Sequence, residues 1–258
     1  MPRYDFRSPR LYVEGGLAPG AEIAPSKPQA HYLANVLRLK AGDPVLLFNG
    51  RDGESRASIA PGKRMVLLVG EQTRKQTAPP DLHYLFAPLK HERLDYMVQK
   101  AVEMGVSRLQ PVLTQHTQVT RINQQRMHAN AVEAAEQCGI LNIPEIGEPI
   151  AFGRALAARK PERLLVFCDE DAEAKDPFAA LTKARPAPTA MLPADKAGAA
   201  RSLALLIGPE GGFSDNERTT LLKQPNMVRL SLGPRILRAD TAAVAALSLI
   251  QAALGDWR

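Results

Sequence analysis

SLALLIGPEGGFSDNE (residues 202–217) and LGPRILR (residues 232–238) are the stretches from which the fold is read. Leu203 to Ile207 is a short aliphatic run bounded by glycine and proline, the pattern of a strand buried on both faces of a sheet. It stops at Gly208-Pro209-Glu210-Gly211-Gly212, and a helix follows with Ser214 or Asp215 as its N-cap. Glycines in such a loop put no Cβ between the backbone amides and a ligand, and they tolerate positive φ. The spacing is neither G-x-x-x-x-G-K-S/T nor G-x-G-x-x-G, so phosphate-cradling and dinucleotide readings are unsupported. A second apolar run, MVRLSL (227–232), breaks in the same way at Gly233-Pro234. It leads into a final helix, TAAVAALSLIQAALG (241–255), with Asp240 or Thr241 as its N-cap. Either loop alone could be a tight strand-to-helix turn without a ligand. Two Gly-Pro loops ending strands of one sheet would share its carboxyl edge, the usual ligand side of an open α/β sheet.

Upstream, the same alternation continues. LHYLFAPL (82–89) is a short apolar run, and ERLDYMVQKAVEMG (92–105) puts Leu94, Met97, Val98 and Ala101 on one helical face before Gly105 ends it. RLQPVLTQ (108–115), QRMHANAVEAAEQCG (125–139) and RLLVFCDE (163–170) then read as strand, helix and strand, the order of a mostly parallel α/β sheet. The stretch 172–200, rich in Ala, Pro and Lys, reads as an irregular surface excursion with one helix in it. Before residue 77 the pattern is β-rich. DPVLLFNG (43–50) runs into a turn at Asn49-Gly50, and alternation resumes at SRASIA (55–60) and RMVLLVG (64–70), which predicts a compact barrel or small sheet. Its one helix is placed over QAHYLANVLRL (29–39), with Tyr32, Leu33, Val36 and Leu37 on a shared face. QTRKQTAPPD (72–81) is the linker, which divides the chain into 1–76 and 77–258.

The chain has 258 residues, 45% of them hydrophobic, enough for one large domain or two smaller ones. Its net charge of +6 is uneven: residues 1–76 hold 12 Lys and Arg against 7 Asp and Glu, and the remainder is nearly neutral. A basic small region beside a neutral large one points to a polyanion partner for the first part, with a solvated basic surface as the alternative. Cys138 and Cys168 form no C-x-x-C pair, which fits a reducing cytosol. Neither has a histidine or lysine beside it in sequence, so both read as small buried hydrophobes. The five histidines are too scattered to suggest a metal, and none is expected. No stretch reaches the roughly 18 apolar residues of a membrane span, nor does the N-terminus resemble a secretory signal, so a cytoplasmic protein is expected.

LLIGPEGGF-S-x-x-E at 205–217 and LGPRILR at 232–238 closely resemble the two carboxyl-terminal motifs of the RsmE family. HYLANVLRLKAGDPVLLFNG (31–50), RLDYMVQKAVEMGVSRLQPV (93–112) and EAAEQCG (133–139) resemble its other blocks, in order. The resemblance implies an α/β fold with a C-terminal SPOUT-type trefoil-knotted parallel-sheet domain and a small N-terminal PUA-like β-barrel that helps hold RNA. It implies a homodimer. It also implies an S-adenosylmethionine-dependent enzyme that methylates N3 of a uridine in 16S ribosomal RNA of the small subunit. The cofactor would lie between three loops: the end of RLLVFCDE at Cys168; Ile207, Gly208, Pro209, Gly211 and Gly212; and Leu232, Gly233, Ile236, Leu237 and Arg238, with Thr241 beyond. Uridine N3 must lose a proton before it can act as a nucleophile. Arg238, Glu210 and Asp240 are the catalytic candidates for that proton or for the charge it leaves, with Glu136 more distant. Arg3, Arg7, Arg10, Arg38 and Lys40, with Lys90 and Arg93, are the basic residues that would meet RNA.

Several positions depart from the family pattern. Ala239-Asp240 stands where Thr-Glu is common, Ile140-Leu141-Asn142 where arginines tend to follow EQCG, Asn35 where an arginine precedes VLRL, and Gln115-His116-Thr117 where Glu-Arg-Ser is familiar. Two other readings follow from these departures: a non-catalytic RNA-binding or ribosome-assembly factor, and a knotted methyltransferase acting on another RNA such as tRNA or on a ribose 2′-hydroxyl.

Overall fold

The computed structural model describes residues 5, 7–119, 121–173, 176–184 and 202–257; Arg3 and most of the expected surface excursion lie outside them. The chain forms two compact units. The first comprises Met1–Ala78 with Val132–Ile143, and the second comprises Pro79–Ala131 with Pro144–Arg258.

In the first unit, β1 (Arg10–Tyr12), β2 (Glu22–Ile23), β3 (Pro44–Phe48), β4 (Glu54–Ile59) and β5 (Leu67–Arg74) form one curled sheet in the order β1-β3-β4-β5-β2. β3, β4 and β5 are the strands that alternation predicts. Asn49 builds the turn between β3 and β4, its side-chain oxygen accepting from the amides of Arg51 and Asp52. Register shifts between β4 and β5 bend the ladder. Leu33, Val45, Leu47, Ala57, Leu67 and Val69 belong to the core on which this sheet closes.

The predicted helix over 29–39 is shorter and irregular. α1 (Lys27–His31) is capped by a reciprocal Ser26–Gln29 box and passes into a π turn at Tyr32–Val36. Arg38, at φ 56°, then turns the chain away. The wider turn breaks the 3.6-residue phase, so Leu33 is buried while Tyr32 and Val36 face solvent. The predicted linker also starts later, because Gln72–Arg74 still pair in β5.

In the second unit, β6 (Leu82–Phe86), β7 (Arg108–Leu113), β8 (Glu145–Ile146), β9 (Ile150–Ala151), β10 (Leu164–Cys168), β11 (Leu203–Ile207) and β12 (Met227–Leu230) are all parallel. Their order is β12-β10-β11-β6-β7-β8, with β9 pairing the far end of β7. Every residue of β11 is buried, which is why it reads as an unbroken apolar run. On one face, Phe152, Ala155 and Leu156 of α4 (Phe152–Ala157) and Leu221 of α6 (Asp215–Leu222) pack with Leu165, Phe167, Ala204 and Leu206. α2 (His91–Glu103) and α5 (Pro177–Lys183) pack against α7 (Ala239–Ala253), which also contacts β11. α2 buries the four residues its periodicity predicts and ends at Gly105, whose φ of 78° lets its N–H turn back to Val102. α3 (Gln124–Cys138) supplies its first residues to the second unit and its last to the first.

Candidate functional site

Register fixes the site. Phe167 of β10 pairs Leu206 of β11, and Cys168 pairs Leu230 of β12, so three strand ends stand side by side at the carboxyl edge. The loops that leave them enclose a cavity of about 330 Å³, within the usual range of small-molecule sites. Cys168, Asp169 and Glu170 line it from the first loop, Ile207 to Gly212 from the second, and Leu230 to Leu237 from the third, with Ala239 and Ala242 of α7 beneath.

The second loop is held at both ends. Phe213 seats its base, with ring centroids 6.1 Å from Phe152 and 6.2 Å from Phe167. Ser214 is the N-cap of α6, in a capping box with Glu217. His116 stands over the glycines, with Nδ1 3.1 Å from the Gly211 carbonyl and 3.2 Å from that of Gly212. Two acceptors there require Nδ1 to carry the proton. Gly212 has φ 68°, and a Cβ on it would fall on Glu170 Oε1. Gly233 has φ 100°, and a Cβ there would meet no atom within 4 Å. The loops therefore need glycine for backbone conformation, and at Gly212 for close approach as well.

The expected cofactor residues Cys168, Ile207, Gly208, Pro209, Gly211, Gly212, Leu232, Gly233, Ile236 and Leu237 all line this cavity; Arg238 and Thr241 do not. Ile236 is 90% exposed at its mouth. Of the catalytic candidates, Glu210 lines the cavity and pairs with Arg93 at 3.3 Å, both side chains well exposed. Arg238 occupies the N-cap position of α7, where Asp240 or Thr241 was expected, and makes no side-chain cap bond. Its own side chain is exposed and is not ion-paired among the described residues. Asp240 sits in the first helical turn, where its carboxylate accepts from the Thr241 amide and faces the positive end of the helix. Glu136 belongs to the first unit, where it accepts from the Tyr12 amide at 2.8 Å; burial raises its pKa.

Among the basic candidates, Arg7, Arg38, Lys40 and Lys90 are exposed. Arg10 is buried and bound to Glu54 at 2.9 Å, so its guanidinium serves the interior of the curled sheet. Cys138, expected to be buried, is exposed; Cys168 is half-buried, and its thiol is pushed up to about 12 by burial, with Asp169 adding to the shift. Among the described residues no three His, Cys, Asp or Glu side chains gather as a metal site. No helix among them is long and apolar enough to cross a membrane.

Sequence reasoning did not single out Asp169 and Glu170, nor the arginines that hold them. Asp169 is fully buried between Arg229 of β12 (Nε to Oδ2, 2.7 Å) and Arg218 of α6 (Nε to Oδ1, 3.2 Å). The only trace in sequence is the acidic triplet 169–171 directly after a strand.

A parallel sheet with glycine loops meeting over one cavity, in a chain that also carries a small curled sheet as a separate unit, is the architecture of a class of RNA methyltransferases. The RNA methyltransferase domain family matches residues 76–251, and the RNA methyltransferase PUA domain family matches residues 26–69. The chain is 30% identical to Ribosomal RNA small subunit methyltransferase E of Synechocystis sp., over 91% of this chain and 74% of that one. It is 29% identical to the protein of that name in Rickettsia conorii, over 94% of each. The chain belongs to the ribosomal RNA small subunit methyltransferase E family, which is the RsmE family of the sequence motifs. Among solved structures it resembles a Legionella pneumophila protein described as a methyltransferase and solved with the cofactor SAM, at 31% identity and TM-score 0.77, covering 96% of this chain and 98% of that one. Ribosomal RNA small subunit methyltransferase E from Neisseria gonorrhoeae, bound to S-adenosyl methionine, is 23% identical with TM-score 0.79, covering 98% of this chain and all of that one; at that identity it speaks for the fold alone.

Proposed function

We propose that this chain methylates N3 of a uridine in 16S ribosomal RNA with S-adenosylmethionine bound in the three-loop cavity. The observation that carries the reading is the meeting of Cys168, Gly208–Gly212 and Leu230–Leu237 around one cavity of small-molecule size in a chain of this family. The residues suit the cofactor. Ile207, Leu230, Leu232, Leu237 and Ala242 offer an apolar wall to a purine, and the loops Gly208–Gly212 and Ser231–Gly233 offer backbone groups to its polar parts. When bound, the cofactor supplies a methyl group activated by its sulfonium.

The protein must orient the base and remove one proton. Arg238, exposed next to the third loop and without an ion-pair partner among the described residues, stabilises the negative charge that spreads over the uracil carbonyls as N3 loses its proton. Asp240, two residues on in the first turn of α7, takes that proton. Glu210, paired with Arg93, holds the glycine loop in place. Residues 1–76 supply RNA affinity through Arg7, Arg38 and Lys40, with Lys90 and Arg93 from the second part, and residues 77–258 carry the chemistry. The chain end is threaded as a trefoil knot, a reading supported by β12 lying beyond β10 while α7 returns to β11 and α2. A homodimer in the cytoplasm completes the reading, and the exposed Ile236 at the cavity mouth suits a site finished by a second subunit.

Mass spectrometry of nucleosides from ribosomal RNA of cells with and without the protein tests this. The expected outcome is loss of 3-methyluridine at one position. A different missing nucleoside, or a change confined to tRNA, replaces the substrate assignment.

A further inference from the structure

A single guanidinium organises the first loop of the cavity. Arg218 of α6 is 17% exposed and reaches three consecutive carboxylates: Nε to Asp169 at 3.2 Å, Nη2 to Glu170 Oε1 at 3.1 Å and Nη1 to Asp171 at 2.6 Å. Asp169 is held from its other side by Arg229. Arg218 follows the second loop and Arg229 precedes the third, so this network ties together the three segments that enclose the cavity. Glu170 lines the cavity and is 43% exposed, with Oε1 on Arg218 and against the backbone of Gly212.

We propose that Glu170 accepts hydrogen bonds from the vicinal ribose hydroxyls of the cofactor, and that Arg218 is the positioning residue that aims it. The inference rests on the reading that S-adenosylmethionine occupies this cavity. Arg218 and Arg229 offset two of the three charges of Asp169, Glu170 and Asp171, and Glu170 Oε2, the oxygen that is not on Arg218, keeps lone pairs for a donor. The ribose diol presents two adjacent O–H donors that one carboxylate accepts together, whereas the adenine amine and the ammonium of the cofactor each centre on one nitrogen. Of the other carboxylates on the cavity wall, Asp169 is fully buried on Arg218 and Arg229, and Glu210 is tied to an exposed arginine. Glu170 is paired with Arg218 through Oε1, which also lies close to Gly212, before any ligand arrives, so it loses less freedom on binding than an unpaired side chain would.

Calorimetry with S-adenosylmethionine, 5′-methylthioadenosine and 2′-deoxy-5′-methylthioadenosine tests the assignment. Wild type is expected to bind the ribose ligand about tenfold more tightly than its deoxy counterpart. Glu170→Ala should weaken S-adenosylmethionine and 5′-methylthioadenosine alike and erase most of that preference. A merely structural role would weaken both nucleosides and leave their ratio intact, and such a result overturns the proposal. Arg218→Lys keeps one charge but cannot span three carboxylates. It should reduce the preference in a folded protein, and adding Glu170→Ala should then change little. Full discrimination by a folded Arg218→Lys variant would remove Arg218 from the role. Wild type that binds none of the three ligands would overturn the cofactor reading itself, and this assignment with it.

Discussion

The second unit commits most of its charged side chains near the cavity to one another, whereas the first leaves most of its positive charge in solvent. Around the cavity, Asp169, Glu170 and Asp171 share Arg218, Asp169 also holds Arg229, and Glu210 holds Arg93. In the first unit Arg7, Arg38 and Lys40 are exposed, and the more buried Arg10 and Arg74 are spent on Glu54. A preorganised cluster concentrates its effect in few atoms, so single substitutions are expensive. An exposed basic surface acts through summed charge, so single substitutions are cheap and depend on salt. Arg235 on the cavity wall and Arg238 at the start of α7 are exceptions in the second unit, both exposed and neither ion-paired among the described residues, and Arg238 provides the sharpest test of the contrast.

The largest effect is therefore expected at Arg238. Arg238→Ala should lower methyl transfer to small-subunit RNA by at least about 10²-fold, as for removal of a donor that stabilises developing charge, while S-adenosylmethionine affinity changes little. Single-turnover transfer of a labelled methyl group, beside calorimetry, makes the measurement. A fully active variant would reduce Arg238 to a helix-end residue and leave the family assignment standing.

Gly212→Val comes next. The position needs φ 68°, and its Cβ would fall on Glu170 Oε1, so the loop must change conformation and Glu170 must move. Left-handed backbone alone costs a branched residue about 1–2 kcal/mol. S-adenosylmethionine affinity should fall by about tenfold or more, and unchanged affinity in a folded variant would take this loop out of the site.

A smaller and differently shaped effect is expected in the first unit. Replacing Arg38 and Lys40 with glutamine should weaken RNA binding several-fold and flatten the dependence of log K on log salt by about 1.5, with cofactor affinity unchanged. A slope that does not move would mean that the excess positive charge of residues 1–76 is a solvated surface and not an RNA face.

The same contrast explains what could be read in advance. β6, β7, β10, β11 and α2 announced themselves because strands buried on both faces read as apolar runs and α2 keeps a 3.6-residue phase. β8 and β9 did not, since two-residue strands pair through backbone and leave no side-chain pattern. The π turn at Tyr32–Val36 was invisible because its sequence looks helical and only the phase of burial betrays it. At the site, the glycines were legible because few residues tolerate their conformation. Asp169, Arg218 and Arg229 were not, because charged residues far apart in sequence look like solvated surface until the sheet register brings them together.

The least effect is expected from the two cysteines, and it bears on the chemistry of the cavity. Another route to a methylated pyrimidine adds a cysteine thiolate to C6 of the ring and passes through a covalent protein–RNA adduct. Cys168 is in the right place for such a role, since its residue lines the cavity. Its thiol, however, is pushed up to about 12 by burial, with Asp169 beside it adding to the shift, so it stays protonated at neutral pH and is a poor nucleophile. Cys138 is exposed on α3 and does not line the cavity. Methylation at N3 needs neither, because the ring nitrogen itself attacks. Cys168→Ala and Cys138→Ala, singly and together, should therefore retain most of the methyl transfer, within about threefold of wild type, which is under 1 kcal/mol of barrier. The assay is transfer of a labelled methyl group to small-subunit RNA followed by nucleoside analysis, with denaturing gels to detect any adduct. An adduct that vanishes in Cys168→Ala, or a folded cysteine variant without activity, would move the reaction from N3 to C5 and make the cavity a site of covalent chemistry.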